Sequence, residues 1–182
     1  MNQEKIARTA ALFTACGMLT LTAHGIAQTY PAKPVRIIVP FAAGGGTDVQ
    51  ARVLGKYLQE LTTQPFIVDN RVGASGLIGA EIVVGAPPDG YTVLMTTATL
   101  AIVPTFFGST MKFQPMKDLA PVIQVSTTPM VLIVHPSVPA RTPREFIALA
   151  KSKPDVFNAA INVPGSTSHL SAEMLKQLTG VK

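Results

Sequence analysis

From residue 35 onward the chain alternates short β-branched runs with amphipathic stretches, and few folds accommodate that alternation. Val35–Val39 is apolar except for Arg36, the pattern of a strand covered on both faces. Over residues 48–61, Val49, Val53, Leu54, Tyr57, Leu58 and Leu61 recur at helical spacing and predict a helix with that stripe inward. Residues 66–68 predict a second strand. The turn from Gly73 to Gly76 then leads into a short helix ending about Val84, and Pro87, Pro88, Asp89 and Gly90 turn the chain into a third strand over 91–96. Strand and helix in strict alternation imply an α/β fold with a parallel sheet and right-handed crossovers.

A second unit begins after a stretch broken by proline and glycine. Residues 120–125 and 130–134 are two further extended runs, separated by Thr127, Thr128 and Pro129. Thr142, Pro143 and Glu145 supply an N-cap, a first-turn proline and the glutamate of a capping box, so a helix is expected over 143–152. Residues 157–161 read as a strand. The loop 162–168 feeds a helix on which Leu170, Met174, Leu175 and Leu178 align, with Gly180 as its cap. Two helices and two or three strands leave open sheet edges and an uncovered apolar face, so the chain is expected to be truncated at its C-terminus.

The N-terminus has a different character. Lys5 and Arg8 precede an apolar run over 10–21, and Gly25 and Ala27 stand at the −3 and −1 positions of a cut before Gln28, which makes 1–27 a cleavable signal peptide. The apolar run is short of the roughly 20 residues a membrane-spanning helix needs. An alternative makes Cys16 a lipidated cysteine, because Thr14 and Ala15 precede it as in a lipoprotein box, but Phe13 fits that box poorly. Cys16 is the one cysteine of the sequence, so a mature chain would have no disulfide framework, thiolate metal site or cysteine nucleophile. The net charge of +5 is spread over single cations such as Lys33, Arg36, Arg52, Lys56 and Arg71, so no nucleic-acid partner is expected, whereas a mild positive field favours anionic ligands.

Two loops have the composition of anion sites. Pro40, Phe41, Ala42, Ala43, Gly44, Gly45, Gly46, Thr47 and Asp48 join the first strand to the first helix, where open α/β sheets bind ligands. Glycines let backbone N–H groups turn toward a carboxylate or phosphate, and a helix N-terminus adds unpaired donors and partial positive charge. The plain alternative is a strand-to-helix turn capped by Thr47, with Gln50 completing the box. The loop ends Gly46, Thr47, Asp48 where a P-loop needs glycine, lysine and serine or threonine, and Val49 stands where a dinucleotide fingerprint needs glycine. Asp48 would repel an anion if aimed into the site, so its expected role is to hold the loop.

Gly165, Ser166, Thr167, Ser168 and His169 repeat the construction in the second unit and offer hydroxyls and N–H groups to a second carboxylate. His169 is open to three readings: ligand donor, packed helix residue, or general base beside a serine. The last belongs to an exported serine hydrolase using Ser166 or Ser168 with Asp48, but the nucleophile elbow Gly-x-Ser-x-Gly is absent. His24 and His135 form no evident metal cluster with it, and no cofactor, metal or catalytic residue is expected.

The segments 30–48, 69–71, 88–91, 135–139 and 165–169 run in order through nearly all of the chain beyond residue 27. Together they resemble the substrate-binding proteins of tripartite tricarboxylate transporters, the Bug (Bordetella uptake gene) family. The resemblance implies a two-lobed, Venus-flytrap periplasmic-binding-protein fold. It also implies a receptor, not an enzyme, that hands small carboxylates (di- or tricarboxylates or related organic acids) to one large and one small integral membrane subunit. It implies carboxylate contacts from Phe41 to Asp48 and from Gly165 to His169, and a first lobe completed by a return of the chain from the second. Val72, where the family commonly has proline, and Asn162, Val163 and Pro164, where it has small residues and glycine, depart from the pattern.

The expectation is therefore a monomeric receptor with a signal peptide over 1–27, a first α/β lobe over 28–122 and a partial second lobe over 123–182; the alternatives are the exported serine hydrolase and a non-functional truncated receptor fragment. Export is checked by mass spectrometry of periplasmic material, which should recover a mature N-terminus at or near Gln28. Recovery only of cytoplasmic protein beginning at Met1 would contradict it.

Overall fold

The computed structural model describes residues 29–181; the expected signal peptide and Cys16 lie outside the described residues. Backbone contacts divide the chain into Met1–Ala32 and Lys33–Lys182. Of the first unit residues 29–32 are described, with a cis Tyr30–Pro31 peptide.

In the second unit, strands β1 (Val35–Val39), β2 (Phe66–Asn70) and β3 (Thr92–Leu94) form a parallel sheet in the order β2-β1-β3. Val35 is in register with Phe66 and Val39 with Asn70, while Arg36 and Ile38 face Thr92 and Leu94. The first strand in sequence is thus the central one, and Val35, Ile37, Ile38 and Val39 are all buried. Arg36 leaves the sheet as a fork onto Asp69 of β2, which also receives Arg71 at 3.0 Å. That pairing, Arg36 first, holds the Asp69 carboxyl below its ordinary value.

Helices cover both faces. On one, α1 (Gly46–Thr62) brings Ala51 onto Ile37 and Val39, with Phe41, Phe66, Val68 and Val93 packed around them. On the other, Leu77 and Ala80 of α2 (Leu77–Val84) and Val103 of α3 (Thr99–Phe107) form a cluster with Phe113 and Leu94. A one-turn helix α4 (Pro115–Asp118) follows.

The face that α1 buries differs from the expected stripe. Asp48, Ala51 and Gly55 are the buried positions, while Val49, Val53, Tyr57 and Leu61 are between 51% and 67% exposed. Small residues win because they allow close approach: a β-carbon on Gly55 would stand 3.3 Å from the Phe66 carbonyl oxygen. Side-chain hydrophobicity counts large residues and overlooks this.

Beyond α4 the expected helices form and the expected strands do not. Helix α5 (Pro143–Ser152) has the anticipated cap, the Thr142 hydroxyl accepting from the Glu145 N–H at 3.2 Å, and Glu145 accepts in turn from the Arg141 N–H. Helix α6 (Thr167–Thr179) ends on a left-handed Gly180, as expected. Residues 120–125, 130–134 and 157–161 pair with no strand among the described residues, and Val122, Ile123, Val131 and Ile133 are at least 75% exposed. Helices satisfy their own backbone, whereas a β-branched run becomes a strand only when a neighbouring ladder accepts it.

Helix α2 sits directly on Pro40, the residue that opens the first loop. A β-carbon at Gly79 would lie 2.8 Å from the Pro40 β-carbon and 3.2 Å from its α-carbon. Alanine is the better helix former, yet Gly79→Ala should destabilise the protein by about 1–3 kcal/mol through overpacking against a rigid ring. Urea denaturation measures this; unchanged or increased stability would show that Pro40 yields without cost.

Candidate functional site

The first loop leaves the C-terminal end of β1 and turns into α1 through Gly44, whose φ of +80° is accessible to glycine at little cost. Helix α1 starts at Gly46 with Gly45 as N-cap, and no side chain caps it. Thr47 is therefore inside the first turn and is not the cap. Without a capping side chain, the N–H groups of Gly46, Thr47 and Asp48 begin a helix with no intrahelical partner. Two other loop donors are already engaged: the Gly45 N–H with the Ala42 carbonyl at 3.2 Å, and the Gly44 N–H with the Asp48 carboxylate at 2.8 Å.

Asp48 holds the loop, as its position in the first turn suggests. Its side chain is almost completely buried; besides Gly44 it accepts from Arg52 Nε at 3.0 Å and from Asn70 Nδ2 at 3.0 Å. The Arg52 hydrogen bond first, then the Gly44 N–H, and also Asn70, hold the carboxyl down at about 2. Asn70 also donates to the Phe41 carbonyl at 3.1 Å and accepts from Arg52 at 3.2 Å. One negative charge is thereby neutralised beneath the loop. Phe41 is half-buried, while Ala42, Ala43, Gly44 and Gly46 are exposed to solvent.

The second loop is tied just as closely by its own groups. Gly165 takes φ +77°, and Ser166, buried, caps α6 by accepting from the His169 N–H at 3.3 Å. The Ser166 and Ser168 hydroxyls lie 2.9 Å apart, and Ser168 Oγ accepts from the Asn162 N–H at 3.1 Å. The Gly165 N–H donates to His169 Nδ1 at 3.1 Å, so that nitrogen presents a lone pair and the neutral ring carries its proton on Nε2. Neither serine is hydrogen-bonded to the His169 ring among the described residues. Thr167 is exposed at the first position of α6, beside the open N–H groups of that helix start.

The structure brings this loop onto the first half of the fold. Ser75 Oγ donates to the Pro164 carbonyl at 3.0 Å, and Phe106 of α3 lies against Gly165, with its ring 5.9 Å from that of His169. Arg52, Asn70, Ser75 and Phe106 escape a reading of the sequence. Asn70 and Arg71 follow Asp69 in a recognisable segment, but only the parallel register of β2 with Val39 explains why Asn70 reaches Phe41.

Low pH tests the Asp48 network. A depressed carboxyl contributes stability above its unfolded value near 3.8 and loses it as the pH falls through its folded value near 2. Denaturant midpoints should therefore drop between about pH 4 and pH 2. In Asp48→Asn the stability at neutral pH should be lower and the acid drop smaller, the remainder coming from Asp69 and Asp89, which are also depressed. An equal acid drop in parent and variant would remove Asp48 from this role.

A sequence profile described as "Tripartite tricarboxylate transporter family receptor" matches residues 50–182, from just beyond the first loop through the second. BugT of Bordetella pertussis is 37% identical over 99% of this chain and 55% of its own. Among solved structures, a Rhodopseudomonas palustris protein with adipate is 36% identical with a TM-score of 0.78, over 84% of this chain and 51% of its own. MatC of the same organism, with bound malate, is 31% identical (TM-score 0.71; 84% and 52%), and the periplasmic binding protein BugD is 31% identical (TM-score 0.67; 84% and 51%). The chain spans about half the length of the curated relatives it matches.

Proposed function

Because the chain belongs to the tripartite tricarboxylate transporter family receptors, we propose that it is an exported, non-enzymatic periplasmic receptor that binds small dicarboxylates reversibly and delivers them to a large and a small membrane subunit. The observation that carries this reading is the uncapped start of α1 at the C-terminal edge of the sheet. The first N–H groups of α1, at Gly46, Thr47 and Asp48, have no intrahelical partner and no side-chain cap, and the adjacent carboxylate is already neutralised by Arg52. One ligand carboxylate sits there. The other is held at the start of α6, by the N–H groups of Thr167 and Ser168 and the Thr167 hydroxyl, with His169 Nε2 as a further donor.

The adipate- and malate-bound relatives support a ligand with two carboxylates. Residues 28–122 and 123–182 supply one loop each, and the ligand bridging the two helix starts shifts the protein toward a closed state. The hydroxyls of Ser166 and Ser168, engaged within their own loop, act by shaping it.

No lysine or arginine lies between Pro40 and Asp48, so backbone shape should outweigh side-chain identity in the first loop. Calorimetry with adipate and malate tests this. Gly44→Ala puts alanine in the left-handed region at a cost of about 1–2 kcal/mol; relief of that strain moves the loop off its donor geometry, so affinity should fall by up to roughly 5–30-fold. Thr47→Ala leaves every backbone donor in place and should change affinity by less than about threefold, below one net hydrogen bond. The ligand should be recovered unchanged. Loss of binding in Thr47→Ala with retention in Gly44→Ala would mean side-chain recognition, and consumption of the ligand would mean catalysis.

A further inference from the structure

After β2 the backbone adopts positive φ at four successive residues: Gly73 at +133°, Ala74 at +47°, Ser75 at +54° and Gly76 at +95°. Glycine accepts this freely. Alanine and serine do not, and such conformations persist where the surroundings impose them, characteristically at functional sites. The consequence of the twist is to direct the Ser75 hydroxyl to the carbonyl of Pro164, 89 positions further along the chain.

That carbonyl belongs to the residue preceding Gly165. Gly165 is itself buried against the Phe106 ring, which would stand 3.3 Å from any β-carbon placed there. Two successive residues of the second loop are thus held by the first half of the fold, one through a hydrogen bond and one through an apolar contact. The same turn rests on the first loop from the other side, since Gly76 faces the Pro40 ring at 3.5 Å from its missing β-carbon. The turn over 73–76 therefore touches both loops.

Resting on the carboxylate reading above, we infer that Ser75 is a positioning residue. Its hydroxyl fixes the loop before α6, so that the N-terminus of α6 is held near the sheet edge where α1 begins. Strain in the turn is the conformational cost of aiming that hydroxyl. If Ser75 served only to make the turn, glycine would serve better.

The variant Ser75→Gly separates the two roles, because it relieves the left-handed backbone and removes the hydroxyl together. Its resistance to urea should equal or exceed that of the parent, while adipate affinity falls about 5–10-fold, of the order of one net hydrogen bond. Ser75→Asn should recover most of the loss, since asparagine tolerates this region and its amide can donate. Hydrogen exchange over 162–169 without ligand gives an independent readout and should be faster in Ser75→Gly. Parental affinity in Ser75→Gly, or unchanged exchange over 162–169, would overturn the inference. If the parent itself binds neither adipate nor malate, the carboxylate reading fails, and the exchange measurement alone decides whether Ser75 positions the loop.

Discussion

The carboxylate of Asp48 accepts from a loop N–H, a guanidinium and a side-chain amide, and each of these bonds fixes a different element. The Gly44 N–H anchors the turn out of β1, Arg52 lies one turn along α1, and Asn70 stands at the end of β2. Asn70 then carries the connection back to the Phe41 carbonyl, closing a ring of bonds beneath the first loop. A buried charge with fewer partners would be expelled or protonated; this one is held ionised because loop, helix and sheet each supply a partner, the last through the register of β2 with β1.

That arrangement resolves an electrostatic conflict. An acidic residue in the first turn suits the helix dipole but opposes an anion bound at the same place. With Arg52 paired to it at 3.0 Å, the acid is locally neutralised, and the positive end of α1 is not cancelled by its own first turn. Gly45 as the N-cap acts in the same direction, since a serine or aspartate there would occupy first-turn N–H groups that glycine leaves uncapped. At α6 the opposite choice is made: Ser166 takes the cap, and the donors left open lie only at the first two positions of the helix.

The hydroxyls and imidazole of the second loop illustrate how one group of residues permits a catalytic reading in sequence and a structural one in space. Serines one and three residues from a histidine invite comparison with a nucleophile and its base. In the fold the base nitrogen Nδ1 is spent on the Gly165 N–H and the serine oxygens on the Asn162 and His169 N–H groups. A loop so tied has its shape fixed by its own groups.

Periodicity and turn chemistry by themselves determined β1 to the residue, the helix over 143–152 with its Thr142 and Glu145 box, the Gly180 cap, and the order of strands and helices up to β3. These features are local: a few neighbouring residues decide them. They also marked both glycine-containing loops and gave Asp48 its role in holding the first. Only the tertiary structure decided which face α1 buries, because close approach at Ala51 and Gly55 depends on the strand beneath and not on the hydrophobicity of the helix. It alone decided that 120–125, 130–134 and 157–161 find no partner strand among the described residues, since a strand is a property of two segments and not of one. The links from Asn70 to Phe41 and from Ser75 to Pro164 join residues 29 and 89 positions apart, and no pattern along the chain specifies them. The first exists because parallel β1 and β2 deliver their C-terminal ends to one edge of the sheet; the second exists because the loop before α6 folds back onto the turn that follows β2.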